Sequence, residues 1–155
     1  MVGDFVPYLL ALHAIAAVIW VGGMVFAYWV ARLAAGPLEP PARLGFWRRG
    51  FAVFFPMVGG AILVLLGTGY AMIFVGMGGF AGAPLHVHLM QGLGWVMVLL
   101  FLVLLALPYR RFLRALDAGE PPAAGRALNA IRRIIHVNMY LGLIVVGIGA
   151  SGRFW

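Results

Sequence analysis

LHVHLMQGLGWVMVLLFLVLLAL, residues 85–107, holds two of the chain's four histidines at its start and no charged side chain. A helix of roughly 20 apolar residues is long enough to cross a hydrocarbon core ~30 Å thick. This run therefore predicts a membrane-spanning helix that enters the bilayer at a pair of histidines.

Three further apolar runs of similar length cover roughly residues 5–30, 51–75 and 134–151. Backbone groups in lipid must pair within their own segment, which predicts helices, and a barrel would instead show alternating segments of about ten residues. The chain is 65% hydrophobic and 10% charged, with mean hydropathy +1.05, too apolar for a soluble surface. We predict one integral membrane domain over residues 1–155, an all-α transmembrane antiparallel four-helix bundle.

The basic residues predict the orientation of this bundle. All 11 are arginine, and ten flank or occupy the first and third connections: Arg32, Arg43, Arg48, Arg49, Arg110, Arg111, Arg114, Arg126, Arg132 and Arg133. The second connection, GMGGFAGAP (76–84), carries no charge. By the positive-inside rule the arginine-rich connections face the cytoplasm and both termini lie outside, in a multi-pass protein of a bacterial inner (plasma) membrane. The net charge of +7 then reflects topology and contact with membrane lipid, and nucleic acid is not a predicted partner.

Several classes of chemistry are excluded by composition. The absence of cysteine rules out disulfides, thiolate metal sites and iron–sulfur ligation. The four carboxylates, Asp4, Glu39, Asp117 and Glu120, fall near or outside the predicted interfaces. No paired acids, nucleophile–base set or phosphate-binding loop is evident, so a hydrolytic enzyme is not predicted.

His13 lies inside the first predicted helix, where an ionisable residue is costly and usually points inward for a functional reason. Its helical face carries the small residues Ala16 and Ala17, whereas the opposite face carries Ile15 and Val18. The bulkier face suits lipid, so His13 is predicted to face the bundle interior. The alternative is a buried histidine hydrogen-bonded to a neighbouring backbone group.

His86 and His88 are two residues apart, a separation of about 200° on a helix, so they cannot face one point. His88 shares its face with Gln91 and is predicted to point inward. His86 shares its face with Met97, which suggests lipid, and is placed at the outer rim. If this segment were extended, both imidazoles would point the same way and could chelate a metal with Met90.

The predicted topology places His13 and His88 on the same side of the membrane and at similar depth. Two imidazoles on facing helices of a bundle suit axial ligation of a haem iron. Gln91 is then a second-shell candidate, and His86 and Arg153 are candidates to contact the haem propionates or the second shell.

His136 lies in the part of the fourth helix that enters from the cytoplasmic side. It is predicted to lie ~10–15 Å from His13 along the membrane normal. Sharing one iron with His13 would require the helices to slide or tilt. Its role stays open between an interfacial histidine beside Asn138 and Tyr140 and a functional group.

Three stretches resemble the CopD-like (copper resistance protein D) membrane proteins: LHAIAAVIWVGGM (12–24), PLHVHLMQGLG (84–94) and IRRIIHVNMYLGLIVVGIGASGR (131–153). The related four-helix HemJ-type proteins, protoporphyrinogen oxidases, bind haem b. In those chains a histidine corresponds to His13, and an H-x-K pattern begins the third helix. Here the pattern is His86-Val87-His88, which places an imidazole where the lysine would stand.

The residues and the resemblance together predict a haem b protein with His13 and His88 as iron ligands. Its expected role is electron transfer or a haem-dependent oxidoreductase reaction near the outer (periplasmic) face, with a quinone or a redox partner protein. The alternative cofactor is copper, captured by His86, His88 and Met90 in a copper transport or resistance protein. A third hypothesis is a structural bundle without a cofactor that acts as a subunit of a larger complex. A homo-oligomer, most simply a dimer, is also expected.

Overall fold

The computed structural model describes residues 5–154, without the side chain of Arg153. Within this range four long helices are each apolar enough to cross a membrane: α1 Val6–Ala34, α2 Pro40–Gly76, α3 Leu85–Asp117 and α4 Pro121–Ser151. The described residues contain no strand. The all-α four-helix prediction is confirmed, while the side of the membrane on which each terminus lies stays a prediction. Arg153, a predicted propionate contact, has its side chain outside the described part.

The helices are longer than the apolar runs from which they were predicted. α2 begins at Pro40, α3 continues to Asp117 and α4 begins at Pro121, so most of both arginine-rich connections is helical. An apolar run marks the part of a helix that suits lipid, whereas intrahelical hydrogen bonds continue into water. The prolines at the starts of α2 and α4 suit a first helical turn, where their missing N–H has no partner to lose.

A tight turn joins α3 to α4. The Glu120 N–H donates to the Ala115 carbonyl at 2.9 Å, and the Gly119 N–H donates to the Leu116 carbonyl at 3.1 Å. This is the Schellman pattern, and it requires a left-handed residue, which Gly119 supplies with φ of +67°. Because the turn is so short, α3 and α4 must be antiparallel neighbours.

The helices pack in two close pairs, α1 with α2 and α3 with α4. We call the end where α1 and α3 finish and α2 and α4 begin the arginine-rich end, and the other the arginine-poor end. Toward the arginine-poor end, Val6–Ala17 packs mainly on α2, and Leu85–Leu104 packs mainly on α4. The largest fully buried side chains lie in the middle and toward the arginine-rich end: Phe51, Phe112, Leu104, Ile131, Met139 and Val58.

Gly142 lies where three helices approach one another. A Cβ atom at this position would lie 2.8 Å from Val21 Cγ2 and 3.1 Å from Met97 Cε. Beside it, Asn138 Nδ2 donates to the Met97 carbonyl of α3 at 3.2 Å. A small residue that permits close approach and a polar side chain that bonds across helices are the usual means of helix association in lipid.

A surface ion pair joins the polar ends of α2 and α3. Arg48 Nη1 lies 2.7 Å from Asp117 Oδ1, with the two side chains 48% and 62% exposed. Water and salt screen such pairs, so Asp117→Asn is expected to lower the free energy of unfolding by less than about 1 kcal/mol. Reversible unfolding in mixed micelles measures this, and a loss of several kcal/mol would show that the pair is structurally essential.

Candidate functional site

His13 is half-buried on α1 and faces α2. Its Nδ1 lies 2.9 Å from Thr68 Oγ1, and this hydroxyl also lies 2.6 Å from the Val64 carbonyl. A carbonyl only accepts, so the single hydroxyl proton of Thr68 is donated to Val64. Thr68 must therefore accept from His13, which places the imidazole proton on Nδ1. The lone pair is then on Nε2, the arrangement of a metal-ligating histidine fixed by a neighbouring acceptor.

The surroundings of His13 agree with the predicted face of α1. Ala16, Trp20 and Met24 are 3%, 4% and 2% exposed, which confirms that this side of the helix is packed. Gly69 follows Thr68, and a Cβ added there would lie 3.3 Å from His13 Cε1. The glycine thus leaves the space that the imidazole occupies against α2.

His88 lies on an exposed face of α3, and its ring centroid is 6.5 Å from that of Phe80. On the same face, Gln91 Nε2 and Trp95 Nε1 each donate to the Tyr70 hydroxyl of α2 at 3.0 Å. The prediction that His88 points into the bundle is therefore wrong, because its side chain is exposed. Gln91, on the same face, does reach the neighbouring helix α2 through its hydrogen bond to Tyr70. The role of His88 as an iron ligand stays a prediction, and it now requires a haem bound at the surface of the bundle.

His86 packs directly on Gly152, and Met90 packs beside Gly149, both at the end of α4. Met97, on the same face, is 2% exposed. This face of α3 is therefore its contact with α4, and the prediction that it faces lipid is wrong. Residues 85–90 are helical, so the extended arrangement is also wrong: His86 and Met90 share one face, while His88 points elsewhere.

No group of three or more histidines or carboxylates that could hold a metal is found among the described residues. Two pockets among the described residues each have a cavity volume of about 10 Å³, and His13 lines neither. Small-molecule sites typically need about 300–1,000 Å³. A porphyrin ligated by His13 would therefore lie at the surface of one chain or between copies.

His136 is held by two tyrosines. Its ring stacks on Tyr28 with a centroid distance of 4.4 Å and an interplanar angle of 3°, and it meets Tyr140 edge-on at 5.0 Å. These contacts favour the interfacial interpretation of His136. The sequence did not predict the contact with Tyr28, because Tyr28 lies on α1 and meets α4 only through helix packing.

Thr68 and Tyr70 are the site residues that the sequence interpretation missed. Thr68 is the only threonine in the chain and is 6% exposed, in the middle of an apolar run. A lone hydroxyl in such a run is a recognisable signal, because it needs a partner within the protein. The partner itself, His13, is known only once α1 and α2 are paired.

The four apolar helices and their packing define a multi-pass membrane protein with a histidine-bearing end. The family described as copper resistance protein D, CopD, matches residues 48–151, about two thirds of the chain. The chain belongs to the CopD family, as its motifs predicted. Comparison with curated proteins and with solved structures gave no match. The matched region includes Thr68, His86, His88 and His136, and it begins after His13.

Proposed function

We propose that this CopD family member binds haem b at its arginine-poor end through His13 and transfers electrons there. The observation that carries the proposal is the chain of hydrogen bonds from His13 Nδ1 to Thr68 Oγ1 to the Val64 carbonyl. It fixes the tautomer and the ring orientation and leaves Nε2 as the ligand nitrogen. Bound haem supplies a one-electron redox centre.

The protein's own residues fit such a group in donor type, since imidazole is an axial ligand of haem iron. His13 is only half-buried, so part of its side chain is accessible at the surface of α1 and α2. His88 is exposed on α3, where it is available as the second ligand to a haem held at the surface or between two copies. A lipid-exposed site of this kind is accessible to a quinone, the redox partner class that we propose.

The orientation proposed for the bundle follows from its charges. Seven exposed arginines lie at one end of the bundle, and on the positive-inside rule we propose that this end faces the cytoplasm of a bacterial inner membrane. The redox site then faces the periplasmic side. Enzymatic turnover, rather than electron transfer alone, would require a substrate that binds at the same surface.

A copper site is the second candidate, because the family is described as copper resistance protein D. His86 and Met90 lie four residues apart on one face of α3, both packed against the end of α4. Imidazole and thioether donors together suit copper. His88, the third predicted copper ligand, is on another face of the helix, so it joins this pair only if helix α3 rearranges.

Metal analysis of the purified protein separates the two proposals. Cells supplied with both iron and copper should yield protein with stoichiometric iron and no copper. His13→Ala should remove the iron, while Met90→Leu should leave it unchanged. Stoichiometric copper that survives His13→Ala and is lost in Met90→Leu would refute the haem proposal in favour of the copper site.

A further inference from the structure

The ten arginines whose side chains the structure describes divide into two groups by burial. Seven are exposed, as their role in membrane topology requires: Arg48, Arg49, Arg110, Arg111, Arg114, Arg126 and Arg133. Arg32, Arg43 and Arg132 are only partly exposed. Topology requires positive charge near the membrane but does not require burial, so these three need another explanation.

Arg32 and Arg132 line a small pocket between α1, α2 and α4. We call it the arginine pocket; it is lined by Ala27, Tyr28, Arg32, Trp47, Phe51, Arg132 and Ile135. The Arg32 guanidinium lies 4.7 Å from the Tyr28 ring centroid. The Arg132 guanidinium lies 5.5 Å from the Trp47 ring centroid. The Arg32 Nε also donates to the Tyr28 carbonyl at 3.1 Å. Stacking and this hydrogen bond fix planar guanidinium groups in a way that lysine cannot reproduce.

The positive charge of the pocket is uncompensated. Arg32 and Arg43 are both close enough to Arg132 to repel it electrostatically. Within residues 5–154 none of these three arginines forms an ion pair, and the nearby carboxylate of Asp117 is engaged by Arg48. An anion in the pocket would relieve this repulsion.

Two residues that border the pocket also carry hydrogen-bond donors without acceptors. Trp47 is 4% exposed, and its Nε1 is buried with no acceptor among the described residues; the same holds for Arg132 Nε. Buried donors rarely lack a hydrogen-bond partner, because the free-energy cost of removing them from water is then not offset. A ligand with several acceptor oxygens could satisfy both donors and the neighbouring positive charge.

The depth of the pocket indicates where that ligand lies. Arg32 directly follows the apolar part of α1, and Arg132 lies two residues before the apolar run that begins at residue 134. Both therefore lie at the boundary between hydrocarbon and headgroups. Phosphate groups of lipids are concentrated at this depth, and basic pockets between transmembrane helices suit anionic headgroups.

We propose that the partly exposed arginines around the arginine pocket bind a phosphate group at its open side, presented by the headgroup of an anionic lipid or by a free phosphate ion. The guanidinium groups of Arg32 and Arg132 form charge-assisted hydrogen bonds with its oxygens, Trp47 Nε1 donates one more, and Arg43 adds positive charge. The ligand bridges α1, α2 and α4 at the arginine-rich end, and it does so independently of the cofactor at the other end.

Native mass spectrometry of the full chain in detergent tests this proposal with three probes: phosphatidylglycerol, phosphatidylcholine and inorganic phosphate. Phosphatidylglycerol is expected to bind, and Arg132→Gln should weaken its binding about tenfold or more through loss of a charged hydrogen-bond donor. Trp47→Phe keeps the ring and all charges but removes the Nε1 donor, and it should also weaken binding. Arg133→Gln, a change at the exposed neighbour, should leave binding unchanged.

The two sources of phosphate give different results. Binding of phosphatidylglycerol that inorganic phosphate does not displace assigns the pocket to a lipid headgroup. Binding of inorganic phosphate with the same dependence on Arg132 and Trp47 assigns it to the free ion. Equal loss in Arg132→Gln and Arg133→Gln would show only general attraction to charge and overturn the proposal, as would the absence of binding by both anionic probes. Trp47→Phe decides the matter if Arg132→Gln fails to fold.

Discussion

His13→Ala is expected to reduce haem b in the purified protein to background. The variant removes the imidazole of His13, whose Nδ1 is held by Thr68 and whose Nε2 is the proposed iron ligand. Pyridine haemochrome analysis of protein from haem-replete cells gives the haem content per chain. Full haem content in His13→Ala would exclude this residue as the ligand.

Three companion variants locate the site more closely. Thr68→Val keeps the size of the side chain but removes the acceptor for Nδ1, and loss of such a partner typically weakens metal affinity about 10–100-fold. His88→Ala is expected to lose the haem as the second ligand is removed. His136→Ala is the matched control, because its ring stacks on Tyr28 and meets Tyr140 edge-on, away from His13, and it should retain the haem.

Phe51→Ala is expected to give the largest loss of stability of any single aromatic truncation. Phe51 is 1% exposed, and its ring stacks on that of Phe55 with a centroid distance of 4.8 Å. Three further rings surround it at centroid distances of 5.0, 6.3 and 6.1 Å: Trp47, Tyr109 and Phe112. Its removal leaves a cavity where α2 meets α3, and truncations of this kind cost about 3–5 kcal/mol. Reversible unfolding in mixed micelles measures the change.

Phe26→Ala is the size-matched control for this experiment. Phe26 is 60% exposed on α1, so its truncation removes contacts with lipid or detergent and leaves no cavity. A change within about 0.5 kcal/mol is expected, as for most exposed positions. Equal destabilisation by both variants would contradict the assignment of the core to the Phe51 cluster.

The four spans could be predicted from the sequence because lipid imposes a length and an apolar composition on each. The face that each span turns inward is harder to predict, because lipid and the protein interior are both apolar. For α1 the contrast of small and bulky residues was sufficient, and Ala16 and Trp20 are indeed buried. For α3 both faces are apolar, and the structure shows the opposite of the prediction. His86 packs against the end of α4, and His88 is exposed.

The local partners of the histidines depend on helix pairing, which hydropathy does not encode. Thr68 meets His13 only because α2 packs on the first half of α1. The arginines show the same limit: their asymmetry along the chain was visible, whereas the burial of Arg132 beside Trp47 follows from the contact of α4 with α2. Composition therefore predicted the elements, and packing determined the site.

The visible absorption spectrum of the purified wild-type protein tests the haem proposal most directly. Protein from haem-replete cells should show a Soret band that shifts when dithionite reduces the iron, with the band lost in His13→Ala. A colourless protein without iron, from cells in which other haem proteins are fully loaded, would contradict the proposal that His13 holds a haem.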